Sequence, residues 1–174
     1  SPTRTLIHRG RKFDFELLEF IGSDGKKLCR EGVRHPRAVV ILPILDDGRI
    51  VLTRNHWPSL DKPLFELPAG SLEPPEVPVD CAGRELIEET GYQAATIRPL
   101  GRFYTSPGLS DEQMWAYAAS GLTYVGQRLE PDERLTVHPT SVAGALGMID
   151  SGELEDAKSM LTLLLAVRHD LIRA

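Results

Sequence analysis

The sequence predicts one domain of mixed α and β structure (class α/β, of the α+β kind), with most strands preceding the helices. Three observations predict this class. Short apolar or alternating segments separated by glycine-containing turns, which are typical of strands, occupy the N-terminal third of the chain. Two later segments repeat their apolar residues at helical spacing. The length of 174 residues suits one domain, and 41% of them are apolar, which is enough to form a core.

The first element is a predicted β-hairpin. Residues 12–21 alternate apolar and acidic side chains, as the strand of a half-buried sheet does. Asp24 and Gly25 form a turn signal, and residues 27–33 are the candidate returning strand.

The next segments predict the central sheet. Residues 38–45 are wholly apolar, residues 46–48 form a turn, and residues 50–54 return, so we expect a buried central hairpin. Further strands are predicted near residues 96–104 and 114–121.

Two helices are predicted in the second half of the chain. The first covers residues 79–90 and ends at Gly91, where a left-handed cap is favoured. The second covers residues 157–172, with a broad apolar face and Asp156 available as its N-cap.

Charge and composition exclude several classes of function. The formal net charge of −5 argues against nucleic acid as the main partner. No apolar run approaches the roughly 20 residues that a membrane-spanning helix needs, so no membrane partner is predicted. The chain has two cysteines and a start that does not resemble a secretion signal, so we expect reduced thiols and a cytoplasmic location.

Acidic residues are concentrated in one segment. Residues 70–92 contain six acidic residues and one basic residue, while the rest of the chain is balanced. On the predicted helix, Glu85, Glu88 and Glu89 stand at i, i+3 and i+4 and therefore share one face. Such a face offers the oxygen ligands that Mg²⁺ or Mn²⁺ prefers, and a divalent cation would offset the repulsion. A merely solvated acidic face is the alternative interpretation.

The same segment carries a longer pattern. From Gly70 to Tyr92 it reads Gly-x5-Glu-x7-Arg-Glu-Leu-x-Glu-Glu-x-Gly-Tyr. This pattern resembles the Nudix box, and a chance match at so many fixed positions is very improbable. The resemblance implies a Nudix hydrolase, with an α/β/α sandwich around a mixed sheet, that cleaves a nucleoside diphosphate linked to another group. We expect residues 1–36 to form a β-hairpin region for dimerisation and part of the substrate site, and residues 37–174 to form the Nudix domain.

The resemblance also implies roles for individual residues. Glu85 and Glu89 match the glutamates that bind metal in the family, together with the carbonyl oxygen of Ala69. Glu88 matches a glutamate that supports the metal cluster, and Arg84 matches the arginine that orients the carboxylates. The implied cofactor is Mg²⁺, with Mn²⁺ accepted. Cations that bridge phosphate oxygens address the main barrier to hydrolysis of a pyrophosphate.

A loop beyond the box resembles the ADP-ribose pyrophosphatase branch of the family. Residues 106–112 read Ser-Pro-Gly-Leu-Ser-Asp-Glu. By this resemblance Glu112 is the catalytic base or an additional metal ligand. The substrate site then includes Ser106, Pro107 and Gly108. On the local sequence alone, a proline and a glycine in a polar loop predict only a turn.

Two further pairs are candidates for substrate binding. Arg30 and Glu31 resemble the pair that in dimeric relatives reaches the adenine end of the substrate from the partner subunit, and a surface pair is the alternative. Arg54 and Trp57 follow the second core strand, and relatives often have an arginine where this chain has Trp57. We expect Trp57 to stack on the base, a contact worth roughly 1 to 3 kcal/mol. A tryptophan packed at a subunit interface is the alternative.

These features predict a Mg²⁺-dependent hydrolase of a nucleoside diphosphate sugar, with ADP-ribose favoured and AMP and ribose 5-phosphate as products. Hydrolysis of another such diphosphate, for example GDP-mannose, is the first alternative. A non-catalytic Nudix-fold sensor of nucleotide sugars is the second, and the complete set of carboxylates argues against it. We also expect a homodimer, because the apolar strand at residues 13–21 is too long for the bare edge of a sheet.

Overall fold

A computed structural model describes residues 1–129, 131 and 134–173, so the last residue of the predicted 37–174 domain lies outside the described residues. The elements in chain order are β1 (Thr3–Arg9), β2 (Asp14–Ile21), β3 (Lys27–Arg34), β4 (Ala38–Pro43), β5 (Ile50–Trp57), β6 (Lys62–Glu66), β7 (Ala69–Ser71), α1 (Pro78–Thr90), β8 (Tyr92–Tyr104), β9 (Gln113–Tyr124), β10 (Leu135–Thr140), α2 (Val142–Ser151) and α3 (Ala157–Arg168).

A four-stranded sheet in the order β7-β4-β9-β8 lies at the centre, with β4 and β9 parallel and the other neighbours antiparallel. Successive side chains of β4 point to opposite faces, so Val39 and Ile41 pack with the α1 residue Leu86. On the other face Val40 packs in the cluster to which α2 and α3 contribute, including Leu163. Helices on both faces of a mixed sheet confirm the predicted fold class.

The predicted central hairpin is wrong in its pairing, although both of its strands are present. β4 lies in the central sheet, whereas β5 lies between β10 and β6 in a second, three-stranded sheet. A turn in which the Leu45 N–H donates to the Arg49 carbonyl (2.8 Å) and a single bridge between Ile44 and Ile50 connect them. Both strands are apolar and need neighbours on both sides, and each finds them in other strands.

The N-terminal strands form a separate antiparallel sheet in the order β1-β2-β3. The predicted hairpin corresponds to β2 and β3, and β1 is an addition to the prediction. Because β1 pairs with β2, the strand at residues 13–21 is central rather than at an edge. The argument for a dimer from a bare edge is therefore wrong. The sheet nevertheless exposes several large apolar side chains, namely Leu6, Ile7, Phe13, Phe15, Ile21 and Leu28.

The helices begin and end for identifiable reasons. Helix α1 has a proline at its start and ends at Gly91, whose φ of 76° is left-handed and whose N–H donates to the Ile87 carbonyl. Helix α3 is capped by Asp156, whose carboxylate accepts a hydrogen bond from the Ser159 N–H at 3.0 Å. It ends at Arg168, earlier than predicted, and α2 was not predicted. Within the described residues, every helix is too short or too polar to span a membrane.

Candidate active site

Arg84 is the centre of the acidic cluster on α1. Two of its nitrogens donate to the two carboxylate oxygens of Glu76, at 2.9 and 3.0 Å. Its Nη1 donates to Oε1 of Glu85 at 2.8 Å and to Oε2 of Glu88 at 2.9 Å. Bidentate contacts of this kind are strong and directional. One guanidinium therefore neutralises part of the charge of three carboxylates and contacts all three at once.

The ionisation of the cluster follows from these contacts. Hydrogen bonds from Arg84 lower the pKa of Glu76 to about 2. The same hydrogen bonds raise the pKa of Arg84, and the charge of Glu85 and the hydrogen bonds to Glu88 and Glu85 add to this effect. Both groups of the Arg84–Glu76 pair are consequently charged at neutral pH.

The backbone of β7 lies directly against the carboxylates of α1. Glu85 and Glu89 are both buried, at 8% and 7% exposure. The Ala69 N–H donates to Oε2 of Glu89 at 3.1 Å. A Cβ atom added to Gly70 would lie 1.9 Å from the carboxyl carbon of Glu85, so only glycine leaves room for this side chain. The glycine of the motif is thus explained by close approach of strand and helix.

The donor set of this surface fits a hard divalent cation. It consists of carboxylate oxygens from Glu85, Glu88 and Glu89, next to the backbone of Ala69. Among the described residues, no three acidic, histidine or cysteine side chains already converge on one point as a metal site.

Glu112 lies on the loop that joins β8 and β9, and neutral partners hold its carboxylate. One oxygen accepts a hydrogen bond from the Thr105 hydroxyl. The other, Oε1, lies 3.4 Å from Nε2 of His35. Burial of the His35 ring lowers its pKa, against the opposite effect of Glu112 and Asp111, so the imidazole is neutral at pH 7.

Four of the predicted substrate residues line one small cavity. Arg30 and Glu31 of β3 face Pro107 and Gly108 of the β8–β9 loop around a volume of about 170 Å³. Ser106 shapes this loop, since its carbonyl accepts from two backbone N–H groups further along the loop, at 2.9 Å each.

The other two predicted substrate residues lie on β5. Arg54 and Trp57 are three positions apart on one strand and therefore point to opposite faces. The Arg54 guanidinium lies over the Phe65 ring, 5.6 Å from its centroid. The Trp57 indole N–H donates to Oε1 of Glu66 at 3.2 Å, and Lys158 donates to the other oxygen of Glu66 at 2.8 Å. The Trp57 side chain is thus oriented by a buried ion pair.

Comparison with known proteins decides the family. A family model described as NUDIX domain matches residues 34–170, which is most of the chain. The chain belongs to the NUDIX domain family. This result confirms the family inferred from the pattern in residues 70–92.

The relatives of this NUDIX chain include two groups of pyrophosphatases. It is 36% identical over 155 residues to a protein of Bacillus subtilis (strain 168) named ADP-ribose pyrophosphatase, covering 88% of this chain and 84% of the relative. It is also 36% identical over 182 residues to a GDP-mannose pyrophosphatase of Salmonella typhimurium, with 94% of each chain covered. A crystal structure described as an ADP compounds hydrolase has the same fold, with a TM-score of 0.83, 24% identity, and coverage of 98% and 94%.

The side chains that surround the candidate residues of this NUDIX protein were not predicted from its sequence. His35 and Thr105 contact Glu112, and Glu66 and Lys158 orient Trp57. No local signal points to His35, because it follows the end of β3 and lies 77 positions before Glu112 in the chain. Lys158 is recognisable only as one of two charged residues on a largely apolar helix.

Proposed function

We propose that this NUDIX protein hydrolyses the pyrophosphate bond of a nucleoside diphosphate sugar, with ADP-ribose as the favoured substrate. The observation that carries the proposal is the carboxylate face of α1, which packs against the backbone of β7 with Gly70 leaving the space. The relative named ADP-ribose pyrophosphatase supports the choice of substrate. The products are AMP and ribose 5-phosphate.

A divalent cation completes the proposed site. Glu85, Glu89 and the carbonyl oxygen of Ala69 would hold Mg²⁺, Glu88 would support it, and Mn²⁺ would substitute for it. When bound, the cation draws charge from the phosphate oxygens and makes water a better nucleophile near neutral pH.

The protein's own residues supply the remaining steps. Arg84 keeps the carboxylates of α1 in place through the contacts described above. Water attacks one phosphorus, the bond from that phosphorus to the bridging oxygen breaks, and Glu112 accepts the proton that the water loses. Arg30 and Glu31 bind the nucleoside end of the substrate, next to the loop that contains Pro107.

We propose that the protein is a cytoplasmic homodimer. Both cysteines are free thiols, as expected of a reducing compartment. Phe15 and Ile21, which share one face of β2 and are both exposed, support self-association, because exposed apolar surface on a small domain marks a contact surface. Light scattering at micromolar concentration should give the mass of two chains. Phe15→Glu should give the mass of one, and a wild-type protein that is monomeric and fully active would contradict this proposal.

A hydrolysis screen tests the reaction and the substrate together. ADP-ribose and GDP-mannose are incubated with the protein and Mg²⁺, and the products are separated by chromatography. We expect AMP and ribose 5-phosphate from ADP-ribose, no turnover in excess chelator, and recovery with Mn²⁺. Glu73→Gln, which removes an exposed charge from the same acidic segment, is the control that should keep activity. Binding of both nucleotide sugars without hydrolysis would indicate a sensor instead.

GDP-mannose is the second candidate substrate. The relative of Salmonella typhimurium has the same percentage of identical residues, 36%, as the relative named for ADP-ribose, over a longer alignment. In the screen, faster hydrolysis of GDP-mannose than of ADP-ribose at equal concentration would favour this alternative.

Trp57 is proposed to stack on the base of the nucleotide. Its ring is 39% exposed, and Glu66 fixes its orientation. Loss of stacking in Trp57→Ala should raise KM by about 5-fold to 100-fold with a smaller effect on kcat. Trp57→Phe, which retains an aromatic ring, should recover much of the affinity. If Trp57→Ala instead lowers the average mass in solution, and its activity recovers at high protein concentration, Trp57 is an interface residue.

A further inference from the structure

His35 lies between the N-terminal sheet and the loop that contains Glu112, and the reaction described above gives it no role. Only 9% of its side chain is exposed. The Phe13 ring stacks on the imidazole, with centroids 5.1 Å apart and an angle of 26° between the planes. This stacking contact holds the imidazole ring in one orientation.

Contacts with the backbone assign the tautomer of His35. The Arg37 N–H donates to Nδ1 of His35 at 3.0 Å, so Nδ1 is an acceptor and carries no proton. In a neutral imidazole the proton is then on Nε2. Nε2 lies 3.4 Å from Oε1 of Glu112, which is close contact but not yet the geometry of a hydrogen bond, so a small shift of the ring or the loop must precede donation.

The backbone next to His35 holds the same loop. The His35 N–H donates to Oδ1 of Asp111 at 2.8 Å. The Val33 N–H donates to the Leu109 carbonyl at 2.9 Å, and the Asp111 N–H donates to the Val33 carbonyl at 3.2 Å. These bonds add the loop to the end of β3 and bring Glu112 to the imidazole.

We propose that His35 is a positioning residue for Glu112. The Thr105 hydroxyl donates to one carboxylate oxygen, and in the proposed reactive arrangement the nearby Nε2–H of His35 closes on the other, so the carboxylate has one orientation toward the attacking water. The inference rests on the proposed role of Glu112 as the base. It also gives the N-terminal sheet a part in the active site of its own chain.

Steady-state kinetics with the proposed substrate and Mg²⁺ test the role. His35→Ala should lower kcat by about 10-fold, the effect of one hydrogen bond to a charged group, and change KM by less than about 3-fold. His35→Gln should recover most of kcat, since its amide can also donate to the carboxylate. His169→Ala, an exposed histidine after α3, is the matched control and should leave kcat unchanged.

A double-mutant cycle separates positioning from general stability. In a Glu112→Gln background, His35→Ala should change kcat by less than about 2-fold, because no base remains to be positioned. If the two losses multiply instead, or if His35→Gln fails to recover kcat while the melting temperature of both His35 variants falls, the proposal is overturned and His35 is a structural residue.

The contact can also be measured without catalysis. Long-range ¹⁵N–¹H spectra should show His35 as the Nε2–H tautomer, and Glu112→Gln should shift its Nε2 resonance while the His169 resonances stay unchanged. An Nδ1–H tautomer, or identical His35 spectra in both proteins, overturns the proposal. If Glu112→Gln keeps full activity, the proposed base is wrong, and these spectra still decide whether His35 contacts Glu112.

Discussion

The acidic face of α1 and the Glu112 loop hold their carboxylates by opposite means. On α1, one guanidinium contacts Glu76, Glu85 and Glu88 within a short stretch of chain. In the loop, an uncharged hydroxyl and a neutral imidazole hold Glu112. A cation favours the charged carboxylate and keeps protons away from it, whereas neutral donors leave a carboxylate able to accept a proton. This difference supports the proposed assignment of cation binding to the first region and of proton transfer to the second.

The two regions also differ in how far along the chain their contacts reach. The Arg84 contacts with Glu85 and Glu88 join neighbours on one helix. The contact between the His35 backbone and Asp111 spans 76 positions and depends on how two sheets meet. The helix face is consequently a local property, while the geometry of the loop depends on the whole fold.

The largest expected effect is at the cation site. Glu85→Gln removes one charge from the carboxylate face and retains the shape of the side chain. We expect kcat/KM to fall by about 10⁴-fold or more, because cation binding supplies several kcal/mol of transition-state stabilisation. Activity should recover little at saturating Mg²⁺. A loss of less than 10-fold would show that this face is merely solvated, and the comparison between the two regions would fail.

Glu112→Gln tests the proposed proton transfer in the loop between β8 and β9. We expect kcat to fall by about 10² to 10⁴-fold, the usual contribution of a general base, with substrate binding within a few-fold. Raising the Mg²⁺ concentration should not rescue it if Glu112 transfers a proton. Rescue by Mg²⁺ would assign it as an additional metal ligand. Unchanged turnover would show that Glu112 is not the base, and Glu76 and Glu88 would then be the candidates.

Local patterns predicted most of the fold. The turn at Asp24 and Gly25, the helix that ends at Gly91 and the N-cap at Asp156 all depend on neighbouring residues, and all are present. Local patterns did not predict which strands pair with each other. Nothing in the two apolar strands around residues 46–48 shows that they join different sheets, because each is complete only with partners distant in sequence.

The same distinction applies to the candidate site. The spacing of Glu85, Glu88 and Glu89 predicts one helix face, and the structure places them on it. The identity of Gly70 has its explanation only in three dimensions, where its missing Cβ makes room for Glu85. The contact of His35 with the Glu112 loop requires the packing of the N-terminal sheet, which no local pattern specifies.

Gly70→Ala tests how closely strand and helix must approach. The new methyl group would overlap the Glu85 carboxyl, which must move by about 1 Å or more. A displacement of that size near the reacting groups can cost about 10²-fold in rate. We expect kcat to fall by that order while the melting temperature falls only slightly. Gly83→Ala, on α1 itself, would meet its nearest neighbour at 3.5 Å and is the control that should retain activity.

The smallest expected effect is at Glu76, whose carboxylate Arg84 holds by two hydrogen bonds. Glu76→Gln should lower the melting temperature at pH 7 by about 2 to 4 °C, as expected for about 1 kcal/mol in a chain of this size. Folding lowers the pKa of Glu76 from its ordinary 4.5 to about 2. The ion pair therefore stabilises the folded state fully above pH 4.5, and this stabilisation is lost as the pH falls toward 2. Melting curves of both proteins should converge over that interval, while Glu73→Gln should show no such convergence. A difference that stays constant from pH 7 to pH 3 would mean that Arg84 does not hold Glu76 in its charged form, and the contrast with Glu112 would then lose its electrostatic basis.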